Sequence, residues 1–271
     1  MSYSYRGKTA LITGASGGIG EVFARQLAAK GMNLILVARS EGKLRGLAEE
    51  LARAHGIKAD VIPSDLSKPG AAAALYAAAK AKALKVDLLL NNAGFGSFGQ
   101  FETIDPKHES EMIQVNVTAL VELSHTYIPE MLARGGGTVI NIASGAAFQP
   151  DPYFATYGAT KAFVLSFSEA LWAEYRGRGV HVLCVCPGAT RTGFFEATKS
   201  DEIKKIGLFS ATMMTSEQVV AQSLRALERR KHYIINGWLN WLLAQSGRFS
   251  PRWMVARVSG MFMKPPASKA A

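Results

Sequence analysis

Seven short apolar runs punctuate the chain: TALIT at 9–13, NLILVA at 33–38, ADVIP at 59–63, VDLLLNN at 86–92, GTVINIAS at 137–144, VHVLCVC at 180–186 and HYIING at 232–237. Longer stretches with apolar residues at helical spacing separate them, among them IGEVFARQLAAKG, EGKLRGLAEELARAHG and TSEQVVAQSLRALERR. Strands apolar on both faces, joined by crossover helices, predict a parallel sheet covered on both sides. Right-handed crossovers make this an α/β chain with a single doubly wound sheet of about seven strands. The alanine-rich GAAAALYAAAKAKALK adds a strong helix former and nothing more. No repeat or linker divides the chain, so residues 1–237 read as one domain and 238–271 as a C-terminal extension.

The 271 residues are long enough for one large α/β domain with a sizeable core, and 48% hydrophobic against 19% charged residues exclude a disordered chain. The start, MSYSYRG, leads straight into a strand, and no run is long and apolar enough to span a membrane, which predicts a cytoplasmic protein. Cys184 and Cys186 lie two apart on an apolar strand and so share a face. They read as reduced core residues, since neither a disulfide nor a metal site suits that arrangement. The five histidines are scattered without metal-like spacing, and no metal is expected. The net charge of +10 is concentrated late: from Arg225 onward nine Lys/Arg face one acid, Glu228. That local excess needs its own explanation and does not make the whole domain a nucleic-acid binder.

Two glycine-rich runs compete for the role of phosphate loop. GFGSFG at 94–99 is a literal G-x-G-x-x-G, yet it follows the fourth strand and leads into QFETIDPK, where no helix begins. TGASGGIG at 13–20 follows the first strand and opens the first helix, so free N–H groups and a positive helix end face outward there. Gly14 allows a tight exit from the strand; Gly18 and Gly20 allow close approach of backbone to ligand and of helix to sheet. The second run is the better phosphate site, and the literal match reads as a loop beside it.

Further pieces stand in order along residues 13–192: NNAG at Asn91 to Gly94, Asn116 in QVNVTAL, Ser144 at a strand end, Tyr157 and Lys161 as YxxxK, and PGATRT at 187–192. With TGxxxGxG at Gly14, Gly18 and Gly20, the chain resembles the short-chain dehydrogenase/reductase family. The resemblance implies a Rossmann-type domain that binds NAD(H) or NADP(H). It implies that Ser16, Ile19, Asn92, Ala93 and Gly94 line the cofactor groove and that Asp65 and Leu66 lie beside the adenine. Pro187, Gly188, Thr190 and Thr192 would lie near the nicotinamide.

The second strand ends in Arg39, nineteen residues past Gly20, where an acid would favour NAD and repel the 2′-phosphate of NADP. Arg39 can clamp a phosphate bidentately and Ser40 can add a donor, so NADP(H) is the preferred cofactor and NAD(H) the alternative. Glu41, the one local acid, is expected to point along the next helix.

Tyr157 and Lys161 are four apart on a predicted helix and leave the same face. A unit charge about 4 Å from a phenolate is worth roughly 4 kcal/mol at an effective dielectric near ~20, about three pKa units. The expectation is therefore a tyrosine brought toward neutrality by Lys161. The family resemblance makes Tyr157 the proton donor or acceptor. It has Lys161 hold the nicotinamide ribose, Ser144 bond the substrate oxygen and Asn116 support a proton-relay water.

The reaction implied is hydride transfer between nicotinamide and a ketone, aldehyde or secondary alcohol. A non-catalytic NADP(H)-binding regulator is the runner-up, and an interaction protein acting at a membrane surface through the tail is a third reading. Phe95, Phe98, Phe148, Phe154, Phe194, Phe195, Phe209, Met213 and Met214 suggest an apolar pocket for a fatty-acyl or steroid-like substrate, although core packing explains several equally well. The basic, aromatic tail is ranked first as packing on the domain or on a partner of a homodimer or homotetramer. Peripheral membrane contact comes second, and nucleic acid is not expected.

Overall fold

A computed structural model describes residues 3–194, 198 and 213–264. Its main sheet has seven parallel strands, all close to the ranges the apolar runs predict: β1 Thr9–Thr13, β2 Asn33–Ala38, β3 Ala59–Pro63, β4 Leu88–Asn91, β5 Gly137–Ile142, β6 Val180–Cys186 and, at the far edge, β9 Tyr233–Ile235. A two-stranded parallel pair, β7 Thr190–Arg191 and β8 Met214–Thr215, lies between β6 and β9 in the chain. The sheet order is β3-β2-β1-β4-β5-β6-β9, so the direction of winding reverses between β1 and β4. A crevice opens beyond the carboxyl ends of the strands at such a reversal.

The helices are α1 Gly18–Ala29, α2 Glu41–His55, α3 Ala71–Ala81, α4 Pro106–Ile113, α5 Ala119–Ala133, α6 Ala155–Tyr175 and α7 Ser216–Glu228. Two more follow the last strand, α8 Trp238–Ser246 and α9 Arg252–Met263. Alternation along each strand feeds two cores. Ala10, Ile12, Leu34, Leu36 and Leu90 pack under α1, α2 and α7, whereas Leu11, Ile35, Val37, Leu89 and Val139 pack under α3 and α5. This two-sided burial is why the strand runs are apolar throughout.

Between α4 and α5 the chain makes a π-turn over Gln114–Thr118. Cys184 and Cys186 are buried free thiols with their sulfurs 3.8 Å apart, on the face of β6 toward α6. Among the described residues no helix is long and apolar enough to cross a membrane.

Candidate active site

A cavity of about 970 Å³ occupies the crevice. At one end stand the β1–α1 turn and the tips of β2 and β3. Gly14 has a left-handed backbone, and a Cβ there would come within 2.7 Å of Asn92 Nδ2. A Cβ on Gly20 would meet the Gly14 carbonyl oxygen at 2.3 Å, so this glycine lets helix and turn close on each other. Gly17, by contrast, has nothing within 4 Å of its Cβ position, and no side chain caps α1. The first turn of α1 thus offers N–H donors and a positive helix end to the cavity.

Across the switch point Thr13 and Asn92 stitch β1 to β4. The Thr13 hydroxyl accepts from the N–H groups of Asn92 and Ala93 at 2.9 and 3.0 Å, and Asn92 Nδ2 donates to the Thr13 and Gly14 carbonyls. Arg39 and Ser40 are exposed at the tip of β2 and line the cavity. Glu41 is turned away along α2, where it pairs with Arg45. Asp65, also lining, accepts from the Ser67 N–H and hydroxyl at 3.1 and 2.8 Å. An uncapped helix start, a glycine-rich turn and an arginine whose chain neighbour Glu41 is paired with Arg45 fit a dinucleotide carrying an additional phosphate.

At the other end β5 and α6 bring Ser144, Tyr157 and Lys161 to the same wall. Ser144 Oγ accepts from the Ala146 N–H at 3.2 Å and so holds the turn Gly145–Phe148. Lys161 is buried, and its Nζ donates to the Ile142 carbonyl at 2.9 Å, 5.7 Å from the centre of the Tyr157 ring. A buried polar chain fixes the elements behind them: Asn91 Nδ2 donates to Ser124 and Asn141, and Asn141 Nδ2 donates to Ser168 on α6. The sequence reading missed this chain, although two asparagines and two serines in otherwise apolar segments are its signal.

Electrostatics correct one expectation. Burial pushes the Tyr157 phenol up to about 12, opposed by its hydrogen bond with Ser144 and aided by the charge of Asp151. Lys161 does not bring it toward neutrality, because desolvation of the phenolate outweighs an ammonium committed to a carbonyl. Burial also lowers Lys161 itself to about 8.

Of the residues singled out from sequence, Gly14, Ser16, Gly18, Ile19, Arg39, Ser40, Asp65, Leu66, Asn92, Ala93, Gly94, Ser144, Tyr157, Lys161, Pro187, Gly188, Thr190 and Thr192 line this one cavity. Gly20 and Asn116 stand behind its wall. Asn116, in the π-turn, is buried; it accepts from the Phe95 N–H at 3.1 Å and donates to the Phe95 carbonyl and to Thr160 Oγ1, both at 3.0 Å. Its side chain is therefore a staple between the loop after β4 and α6.

The decoy loop also acquires a role. A Cβ on Gly96 would stand 2.8 Å from Phe194 and 3.1 Å from Tyr157, so this glycine admits two rings that meet at 5.2 Å between centroids. Phe95, Phe154 and Phe194 line the cavity, while Phe98 packs behind Phe154 and Phe148 packs against the core between α6 and β6. Met213 joins the cluster around Phe154, and Met214 packs on the core under α1 and α7. Phe195 and Phe209 lie outside the described residues.

The sequence reading expected the tail to pack on the domain or a partner but not that the two last helices would help line the cavity. Leu243 from α8 and Met254, Val258 and Phe262 from α9 line the cavity. Gly188 is a glycine because Asn240 of α8 would lie within 2.2 Å of a Cβ there. Beneath α9, Asp151 accepts from Gln149 Nε2 at 3.1 Å and from the Ser259 hydroxyl at 3.5 Å, and burial pushes its carboxyl up to about 6.

Residues 8–203 match the family model for short chain dehydrogenases. Over 187 residues the chain is 38% identical to the 7beta-hydroxysteroid dehydrogenase of Collinsella aerofaciens, covering 69% of this chain and 70% of that protein. It is 30% identical over 244 residues to the very-long-chain 3-oxoacyl-CoA reductase of Anas platyrhynchos, covering 88% and 75% of the two chains. Among solved structures, one that concerns 7beta-hydroxysteroid dehydrogenase stereoselectivity superposes with a TM-score of 0.83 at 30% identity, covering 96% of this chain and all of that one. A short-chain dehydrogenase from Sphingobium yanoikuyae in complex with NADPH superposes with a TM-score of 0.79 at 30% identity, covering 97% and 98%. Parallel sheet, glycine turn and matched residues together make this chain a member of the short-chain dehydrogenase family of oxidoreductases.

Proposed function

We propose that the protein is an NADPH-dependent reductase of a bulky, hydrophobic ketone, with residues 1–237 forming the cofactor-binding and catalytic domain and 238–271 an extension over the substrate end. The observation that carries this reading is the convergence of Ser144, Tyr157 and Lys161 on the same cavity as the glycine turn. NADP(H) would be held by the start of α1, by Arg39 and Ser40 around the 2′-phosphate, and by Asn92, Lys161 and Thr190 farther in. When bound, it supplies the hydride that reduces a carbonyl.

The chain's own work is to manage the oxygen. Ser144 donates a hydrogen bond to the carbonyl oxygen, and Tyr157 gives it a proton as negative charge develops there. A phenol raised to about 12 is fully protonated at neutral pH, the state needed for reduction. Alcohol oxidation requires the phenolate, which burial disfavours. Lys161, mostly protonated below its value of about 8, adds positive charge behind the ring. Asn116 holds the loop that faces them.

Apolar walls from Phe95, Phe154, Phe194 and the roofing helices support a steroid-like or fatty-acyl substrate, the classes named for the two relatives. The decisive experiment follows NADPH absorbance with a panel of steroid ketones, 3-oxoacyl thioesters and small polar sugars. Turnover is expected for the hydrophobic ketones, and Tyr157→Phe should lower it by about 10³-fold while NADPH binding stays within about twofold. Turnover of sugars alone would remove the hydrophobic substrate; an unimpaired Tyr157→Phe enzyme would remove the proton donor.

A further inference from the structure

We propose that α8 and α9 form a docking surface for an anionic lipid membrane, placed so that an apolar substrate passes from the bilayer into the cavity. Of the thirteen large hydrophobic side chains exposed among the described residues, ten lie between Trp238 and Phe262. Trp238 is 75% exposed, Phe249 89% and Met261 79%. Exposed apolar side chains concentrated in this way on two consecutive helices mark an interaction site.

Charge selects the occupant. Residues 238–264 contain Arg248, Arg252, Arg257 and Lys264 and no acid. Arg252, Arg257 and Lys264 are exposed. A symmetric contact with a second copy would set this patch against itself and bring like charges together with no counter-charge. Anionic lipid headgroups supply that counter-charge, and tryptophan suits the boundary between headgroup and acyl chain. Three of the chain's four tryptophans are here: Trp238, Trp241 and Trp253.

Position supplies the purpose. Leu243, Met254, Val258 and Phe262 are exposed on this surface and also line the cavity, so the two are continuous. An apolar substrate dissolved in the bilayer meets the cavity mouth without crossing water. This loading role rests on the hydrophobic-substrate reading above; the docking itself does not.

The test is flotation of the full chain with vesicles of phosphatidylcholine alone or mixed with phosphatidylglycerol. The chain is expected to float with the anionic vesicles, less with neutral ones, and less at high salt. Phe249→Ser/Trp253→Ser and Arg252→Glu/Arg257→Glu should each reduce the bound fraction about tenfold or more with unchanged melting and NADPH binding. A chain that stays at the bottom of the gradient with both vesicles overturns the proposal, as does flotation insensitive to both variants. A dimer in solution that Phe249→Ser/Trp253→Ser converts to monomer assigns the surface to a second copy instead and also overturns it. Flotation by a chain inactive on every ketone supports docking and removes only the substrate reading.

Discussion

At one end of the cavity Gly14 and Gly20 press on main chain as well as on a side chain; at the other Gly96 and Gly188 press on side chains alone. Gly20 is held against the Gly14 carbonyl and the Asn92 amide, and Gly14 against that amide and the Ala93 main chain, so part of each contact cannot turn aside. Gly188 is held against the amide of Asn240, and Gly96 against the rings of Phe194 and Tyr157, which can turn. Rigid main chain suits a constant ligand, and repackable side chains suit a variable one. The cavity thus joins an end that tolerates almost no change to an end whose shape can be adjusted by substitution.

The largest effect should come from Gly20→Ala. Its Cβ would stand 2.3 Å from a main-chain oxygen, so the turn must move. A loss of about 3 kcal/mol in urea unfolding, with weakened NADPH binding, is expected. A loss below about 1 kcal/mol would show the cofactor end to be as compliant as the substrate end. Arg39→Glu should come next: NADPH affinity should fall about 30-fold while NADH affinity changes little, read by fluorescence titration. Equal losses for both would mean that Arg39 does not read the 2′-phosphate.

Gly188→Ala is expected to cost only about 1 kcal/mol, because Asn240 can turn aside after losing its 2.8 Å bond to the Asn236 carbonyl. It should raise KM for the ketone more than KM for NADPH. The smallest effect is a pH dependence. Asp151 has its carboxyl raised from 3.8 to about 6 in the folded state, so folding costs nothing extra below the unfolded value. The cost grows as pH rises through the interval and is complete above about 6. The interval alone is worth about 3 kcal/mol, but Asp151 is only partly buried and water screens much of it, so Asp151→Asn should stabilise the protein by about 1 kcal/mol near pH ~8 and hardly at all near pH ~4, measured by thermal melts. Equal melting shifts at both pH values would place the carboxyl in solvent.

What the sequence disclosed follows the same division. Strand positions were legible because burial on both faces forces continuous apolar runs, as in VHVLCVC. The glycine turn after β1 was legible because close backbone packing leaves glycines at fixed spacing after a strand. The place of Arg39 on the cavity wall was legible because the fold brings the tip of β2 to that turn. The lining from the last helices was not, since Asn240, Leu243 and Val258 reach the cavity by folding back onto much earlier segments, and tertiary return of this kind leaves no local pattern. Asp151 was missed for the same reason: its environment is made by Ser259, 108 residues away. The fate of Tyr157 was misjudged because pairwise spacing reveals a neighbouring charge but not the loss of water around both groups.

The π-turn at Gln114–Thr118 has a consequence for anyone redesigning this chain. Regularising it into ideal helix with every residue kept would rotate everything before the turn by about 100° against everything after it. Met112 upstream and Leu123, Tyr127 and Met131 downstream are all buried, so that rotation would drag one set out of the core. The irregularity is locked in from both sides, and an automated idealisation that smoothed the helix would dismantle the hydrophobic interior before it touched any functional group.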